Sequence, residues 1–257
     1  MLWLRSAAFN AAFFGLTTLA SLMAIPLLAF ASGPALWRFA RGWAHAVIWL
    51  LRRIAGIRVR VIGAEHLPDG QGLVAAQHQS AFDTVVWLVL LPRPAIVLKQ
   101  ELLRIPIYGW FCRRMGMIAV DRLAGGSAIR TLLRGADMAI AEQRPIVIFP
   151  EGTRTEPGTF LPFQPGVAAL ARRIGGGVVP VATDSGLHWG RRAFRKHPGT
   201  ISILVLPPVP VHADRTRLVA ELETAIADGF RRLRPGPVDN SVGAAFSQFR
   251  DHTSSFS

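Results

Sequence analysis

No charged residue lies between Arg5 and Arg38, and this apolar stretch sets the N-terminal part of the chain apart from the remainder. It predicts a helix over 7–32, about 39 Å long, more than the roughly 30 Å hydrocarbon core of a bilayer requires. Pro26 is expected to kink it. A second helix is predicted over 34–53. There Arg38, Arg41, His45, Arg52 and Arg53 share an arc of about 120°, with Trp37, Phe39, Trp43, Leu50 and Leu51 elsewhere. Arginines on one arc with tryptophans beside it are the pattern of a helix at a lipid–water boundary. A transmembrane helix and a pair of helices sunk in one leaflet both fit. A cleaved signal peptide fits less well, because the run exceeds the usual h-region of about 7–15 residues.

From Ile57 short apolar runs alternate with helical periodicity. Strands are predicted over 57–62, 72–76, 95–98, 117–120, 146–149, 178–182 and 201–206. Helices are predicted over 82–91, 127–143 with Ser127 as N-cap, 167–174 and 215–232. Strands interleaved with helices imply an α/β fold whose mostly parallel or mixed central sheet is covered by helices on both faces. Gly175-Gly176-Gly177 reads as a tight connection, since a strand comes after it where a phosphate-binding loop would open a helix. The organisation is thus an anchor and interfacial helix over 1–55, an α/β domain over 56–234, and a polar, disordered tail over 235–257.

Charge narrows the partners. The chain is 51% hydrophobic with a formal net charge of +13. Lys99 and Lys196 are its only lysines, so nearly all the basic groups are arginines, whose planar fork suits phosphate. This points to anionic partners: a lipid surface, a phosphorylated substrate or nucleic acid. Nucleic acid is excluded by a single tyrosine, by arginines scattered in pairs, and by the lack of any recognised binding signature. Four arginines come after the apolar run and one precedes it, which places the α/β domain on the cytoplasmic side of the membrane. Cys112 is the sole cysteine, so the chain forms no internal disulfide, and a small core residue is the simpler reading of it.

Two segments carry chemistry. In Gln77-His78-Gln79-Ser80-Ala81-Phe82-Asp83 an imidazole and a carboxylate stand five positions apart. If the segment turns into a helix, both face one site, the carboxylate fixes the tautomer, and the other ring nitrogen is free to take a proton. Phe149-Pro150-Glu151-Gly152-Thr153-Arg154 offers a carboxylate, a glycine, a hydroxyl and a guanidinium, of which Arg154 and the backbone around Gly152 and Thr153 suit a phosphate. Glu151 has two readings: a ligand to substrate hydroxyls, or a brace pairing with Arg154 or Lys99. Both segments come directly after predicted strands, where ligands of open α/β sheets gather. Lys99 also stands after a strand and is either an anion contact or a solvated lysine. Asp121-Arg122 reads as an ion pair or a turn. The histidines lack metal-ligand spacing, so no metal is expected.

Four segments in order resemble the glycerolipid acyltransferase family, in particular the bacterial 1-acylglycerol-3-phosphate acyltransferases. They are Gln77-His78-x4-Asp83; Lys99-x-Glu101-Leu102 through Pro106, Gly109 and Gly116 to Asp121-Arg122; Phe149 to Arg154; and Val179-Pro180-Val181. They cover roughly residues 70–185. The sequence departs at Gln77, where the family commonly has Asn, and at Thr155, where Ser is usual.

The resemblance implies that His78 deprotonates the 2-position hydroxyl of lysophosphatidic acid while Asp83 orients and charges the imidazole. Glu151, Gly152, Thr153 and Arg154, with Lys99 adding charge, would hold the glycerol phosphate. The acyl donor would be acyl-CoA or acyl-acyl-carrier protein, used as a co-substrate with no cofactor, and the product phosphatidic acid would stay in the bacterial inner membrane. Rival readings are the same chemistry on glycerol 3-phosphate or another lyso-lipid, an acyl hydrolase, and a scaffold without catalysis. The hydrolase lacks a Gly-x-Ser-x-Gly elbow around Ser80.

Overall fold

The computed structural model describes residues 1–30, 33–122 and 124–233, so the expected tail over 235–257 lies outside the described residues. Its centre is one mixed sheet. The strands are β1 (Ile57–Ile62), β2 (Gly72–Ala76), β3 (Ala95–Lys99), β4 (Ile118–Val120), β5 (Pro145–Ile148), β6 (Gly177–Thr183), β7 (Gly199–Val205) and β8 (Val209–Pro210), in the order β1-β7-β6-β2-β5-β3-β4 with β8 on β6. Every pairing is parallel except β6 with β7 and β6 with β8.

The sequence pattern explains this order. The strands β2, β5 and β6 are buried nearly throughout, as strands covered on both faces must be. Edge strand β1 instead alternates, with Ile57, Val59 and Val61 turned inward and Arg58 and Arg60 exposed. Successive residues of β2 serve opposite faces. Val74 and Ala76 pack with α3 (Phe82–Leu90), while Leu73 and Ala75 pack with α5 (Gly126–Ala141), α6 (Gly166–Ile174) and α8 (Arg215–Leu233).

Most expected elements are present with ends shifted by one or two residues. Short elements among the described residues were not foreseen, including α4 (Tyr108–Arg114), α7 (Ser185–His188) and β8. Each is too brief for a period to show. Ser127 does not cap α5. The helix begins one residue earlier behind Gly125 at φ +52°, and the Ser127 hydroxyl donates to Ala124 O (2.8 Å). The glycine connection is as expected, with Gly175 and Gly176 at φ +74° and +72°, a conformation costly for other residues.

The N-terminal stretch forms two helices, α1 (Leu2–Phe30) and α2 (Gly33–Leu50), with a π-helical turn over Leu51–Ala55 after them. Helix α1 is long and apolar enough to cross a bilayer, and Pro26 lies inside it. Arg38, Arg41, His45, Arg52 and Arg53 are all exposed, whereas Leu36, Ala40, Ala44 and Val47 face inward.

The first turns of α1 are fastened to the π-helical turn and to the α/β body. Arg5 donates to Ile54 O (2.9 Å), Asn10 to Phe194 O (3.0 Å), and the Ser6 hydroxyl accepts from Lys196 N (2.9 Å). Phe9 is fully buried edge-on against Trp189, in the same core as the inner strands. Lys196 is buried beside both rings and donates to Ala193 O and Phe194 O; burial lowers its pKa to about 8. The rest of α1 exposes Phe14, Leu19, Leu22, Met23 and Phe30.

Candidate active site

Strand register brings the two chemical segments together. In the parallel pair β2–β5, Ala75 lies opposite Ile148, so residues 77–78 and 149–151 leave the sheet side by side. On the other flank Ala76 lies opposite Val181 of β6, and Gln77 N donates to Val181 O (2.9 Å). His78 therefore stands at the carboxyl end of a central strand, between two neighbours.

Asp83 is on the first turn of α3 and reaches back over the turn before it. Its Oδ2 accepts from Gln79 N and Ser80 N (both 2.7 Å) and stands 3.2 Å from His78 Nδ1. Ser80 Oγ in turn accepts from Phe82 N (3.1 Å), which closes the helix start. Two amide donors hold the carboxylate still, so its bond to Nδ1 fixes the ring proton there and leaves the Nε2 lone pair outward. Arg154 Nε lies 3.4 Å from that Nε2. The imidazole face stacks on Phe149, with centroids 4.2 Å apart and planes at 23°.

The loop after β5 clasps His78 by its backbone. Thr155 N donates to His78 O (2.8 Å), and Glu151 Oε2 accepts from His78 N (3.4 Å) and from the Thr155 hydroxyl (3.2 Å). Glu151 is buried, 4% exposed, and meets neither Arg154 nor Lys99, the two brace partners expected for it. Among the described residues its Oε1 has no partner. Burial pushes its pKa up to about 8, so it is a neutral acid at pH 7, opposed only in part by the bonds from His78 and Thr155. Gly152 holds φ +70° and closes a turn onto Phe149 O (3.0 Å). Gln77 and Gln79 tie the opposite flank: their side-chain oxygens accept from Thr183 N (3.2 Å) and Gly186 N (3.0 Å). The Gln77 side chain thus spans to β6.

A carboxylate-oriented histidine with one free nitrogen, set beside a guanidinium, is equipped to deprotonate a hydroxyl next to a bound anion. Residues 58–184 match the acyltransferase family. Over 182 residues the chain is 34% identical to a 1-acyl-sn-glycerol-3-phosphate acyltransferase from Pseudomonas aeruginosa, covering 71% of this chain and 71% of that protein. The chain belongs to the acyltransferase family. A human 1-acyl-sn-glycerol-3-phosphate acyltransferase alpha is 33% identical over 184 residues, which cover 70% of this chain and 64% of the human one. The crystal structure of the 1-acyl-sn-glycerophosphate (LPA) acyltransferase, PlsC, from Thermotoga maritima shares the fold, with a TM-score of 0.75 at 21% identity over 93% of this chain and 100% of that one.

In this acyltransferase the remaining expected residues divide. Gly152, Thr153 and Arg154 line the loop beside His78. Lys99 stands at the end of β3, two strands from β2, exposed and paired with Glu101 (2.8 Å). That bond holds the Glu101 carboxyl below its usual range. Arg122, read from sequence as part of a local pair or turn, has a guanidinium nitrogen 3.9 Å from where a Cβ on Gly152 would lie. It therefore belongs to the rim of the Arg154 loop. Arg191 was not foreseen at all: its Nη1 donates to Arg154 O (3.2 Å). No periodicity or spacing marks either arginine, whereas the ordered family segments do contain Arg122. Among the described residues no group of His, Cys, Asp and Glu is arranged to hold a metal.

Proposed function

We propose that the protein transfers an acyl group from acyl-CoA or acyl-acyl-carrier protein to the 2-position hydroxyl of lysophosphatidic acid, giving phosphatidic acid. The observation that carries this reading is the Asp83–His78 pair opening onto Arg154, supported by relatives named for the same reaction. His78 Nε2 takes the hydroxyl proton while Asp83 balances the charge growing on the ring. The oxygen bonds to the thioester carbonyl carbon, the carbon–sulfur bond breaks, and the imidazolium returns its proton to the departing thiolate. Arg154, with the backbone of Gly152 and Thr153 and with Arg122 at the rim, receives the phosphate. Glu151 serves from beneath as the brace of His78, and Lys99 adds positive potential from the outer edge. No metal or other cofactor takes part in this scheme.

In this reading the reaction takes place at a membrane, which the long apolar helix α1 supports. Because its first turns are bound to the α/β body, α1 is read as lying in one leaflet beside α2, with the body on the cytoplasmic side of the bacterial inner membrane. Exposed Ile105, Tyr108 and Trp110 sit on or just before α4, which packs on α1, and extend its apolar surface toward the lipid.

The deciding experiment incubates the detergent-solubilised protein with lysophosphatidic acid and either donor, tracking thiol release and phosphatidic acid beside His78→Ala. Acceptor-dependent turnover that disappears in the variant is the expected result. Thiol release that is equal with and without acceptor would replace this reading with a hydrolase.

A further inference from the structure

The nitrogen that must take the substrate proton is already engaged. With the ring proton held at Nδ1 by Asp83, the lone pair is on Nε2, and Arg154 points its Nε–H there. A guanidinium in that position competes with any incoming hydroxyl for the lone pair.

Arg154 has reason to leave when an anion arrives. Among the described residues, no carboxylate lies within ion-pair distance of Arg154, Arg191 or Arg192. Burial lowers the pKa of Arg154, and the like charges of Arg191 and Arg192 lower it further against the pull of Asp83. Arg191 is tethered to the Arg154 carbonyl, and Arg122 flanks Gly152. A phosphate entering here meets guanidinia that no carboxylate pairs directly, with Asp83 and Tyr108 acting on Arg154 only from a distance. A phosphate offers the guanidinium negative charge and two parallel acceptors, where neutral Nε2 offers one long contact at 3.4 Å.

We infer that Arg154 is a specificity gate: without an anionic acceptor it caps His78 Nε2, and the phosphate of the acceptor draws it off and frees the base. The inference rests on the acceptor proposed above. It gives the site a way to favour an alcohol over water. Water attacking the same thioester would pass its proton to Nε2, bond to the carbonyl carbon and release carboxylic acid and thiol. The capped base withholds that reaction until a phosphorylated alcohol is bound.

The test uses the full chain in detergent with acyl-CoA and no lysophospholipid, measuring thiol release with and without methyl phosphate, a phosphomonoester that has no hydroxyl to acylate. Methyl phosphate is expected to raise wild-type release about tenfold, the scale of one charge-assisted hydrogen bond. Arg154→Gln should show raised release without methyl phosphate and no response to it, and His78→Ala should abolish release in both. The gate is overturned if methyl phosphate leaves wild-type release unmoved, whether or not it inhibits phosphatidic acid formation. This arm stands even if Arg154→Gln fails to fold. Failure of the proposed function would look different, as wild-type protein forming no phosphatidic acid from lysophosphatidic acid in the same micelles.

Discussion

Thr155 donates its backbone N–H to the carbonyl of His78 at 2.8 Å, across 77 positions of sequence. Together with the Glu151 carboxyl oxygen that accepts from His78 N–H, this bond makes the loop after β5 part of the support of the base. The acid-base pair and the anion loop are thus one mechanical unit, and changes in either should register in the other.

Asp83→Asn should keep an oxygen for the Gln79 and Ser80 amides but remove the charge that balances the imidazolium. A loss of about 10²–10⁴ in kcat is expected, with little change in melting temperature. Steady-state kinetics beside a thermal melt checks this. A large fall in stability with unchanged kcat would make Asp83 a helix cap and nothing more.

Glu151 gives a pH signature. In the unfolded chain its carboxyl ionises near 4.5, whereas the folded protein holds the proton to about 8. Between those values the folded state binds more protons than the unfolded one, so stability falls as pH rises through this window and levels off above it. The loss is on the order of a few kcal/mol. Glu151→Gln, neutral and of the same shape, should flatten that slope and keep most activity at pH 6.5. Urea midpoints of both proteins at pH 5.5 and 8 decide it; parallel slopes would place the titration elsewhere.

Thr155→Val retains the backbone bond to His78 but strips a donor from buried Glu151. The expected cost is about 1–2 kcal/mol of stability and a few-fold drop in kcat. Thr155→Ser, which restores the hydroxyl, should recover both. Denaturant titration and initial rates of the two variants provide the comparison.

Lys99 is exposed and already paired with Glu101, so Lys99→Ala should raise KM for lysophosphatidic acid by less than about threefold, the range of exposed ion pairs. Arg154→Ala should raise it by far more. Equal effects would bring Lys99 into direct contact with the phosphate.

Leu19 and Leu22 belong to the apolar surface of α1 and are more than half exposed. Charging both, as Leu19→Glu with Leu22→Glu, should weaken flotation with anionic vesicles while leaving turnover of detergent-dispersed substrate close to wild type. Vesicle binding that survives the double change would shift the membrane contact away from this face.

Much of this was readable along the chain because it is local. Strands β2, β5 and β6 appear as unbroken apolar runs because both their faces are covered, and the His78–Asp83 pair appears because a single strand-to-helix turn brings five positions together. The partners of these residues were not readable. Whether Glu151 met Arg154, Lys99 or neither depended on the register of β2 against β5, which fills the space around its carboxyl group with His78 and Thr155. Arg122 and Arg191 approach the same loop from different elements, and no spacing encodes that approach. Sequence alone determined which chemical groups are present and which of them are held by short-range geometry. The tertiary structure decided which distant groups share a low-dielectric space, and there burial turns a carboxylate into a neutral brace and sets a guanidinium against the base.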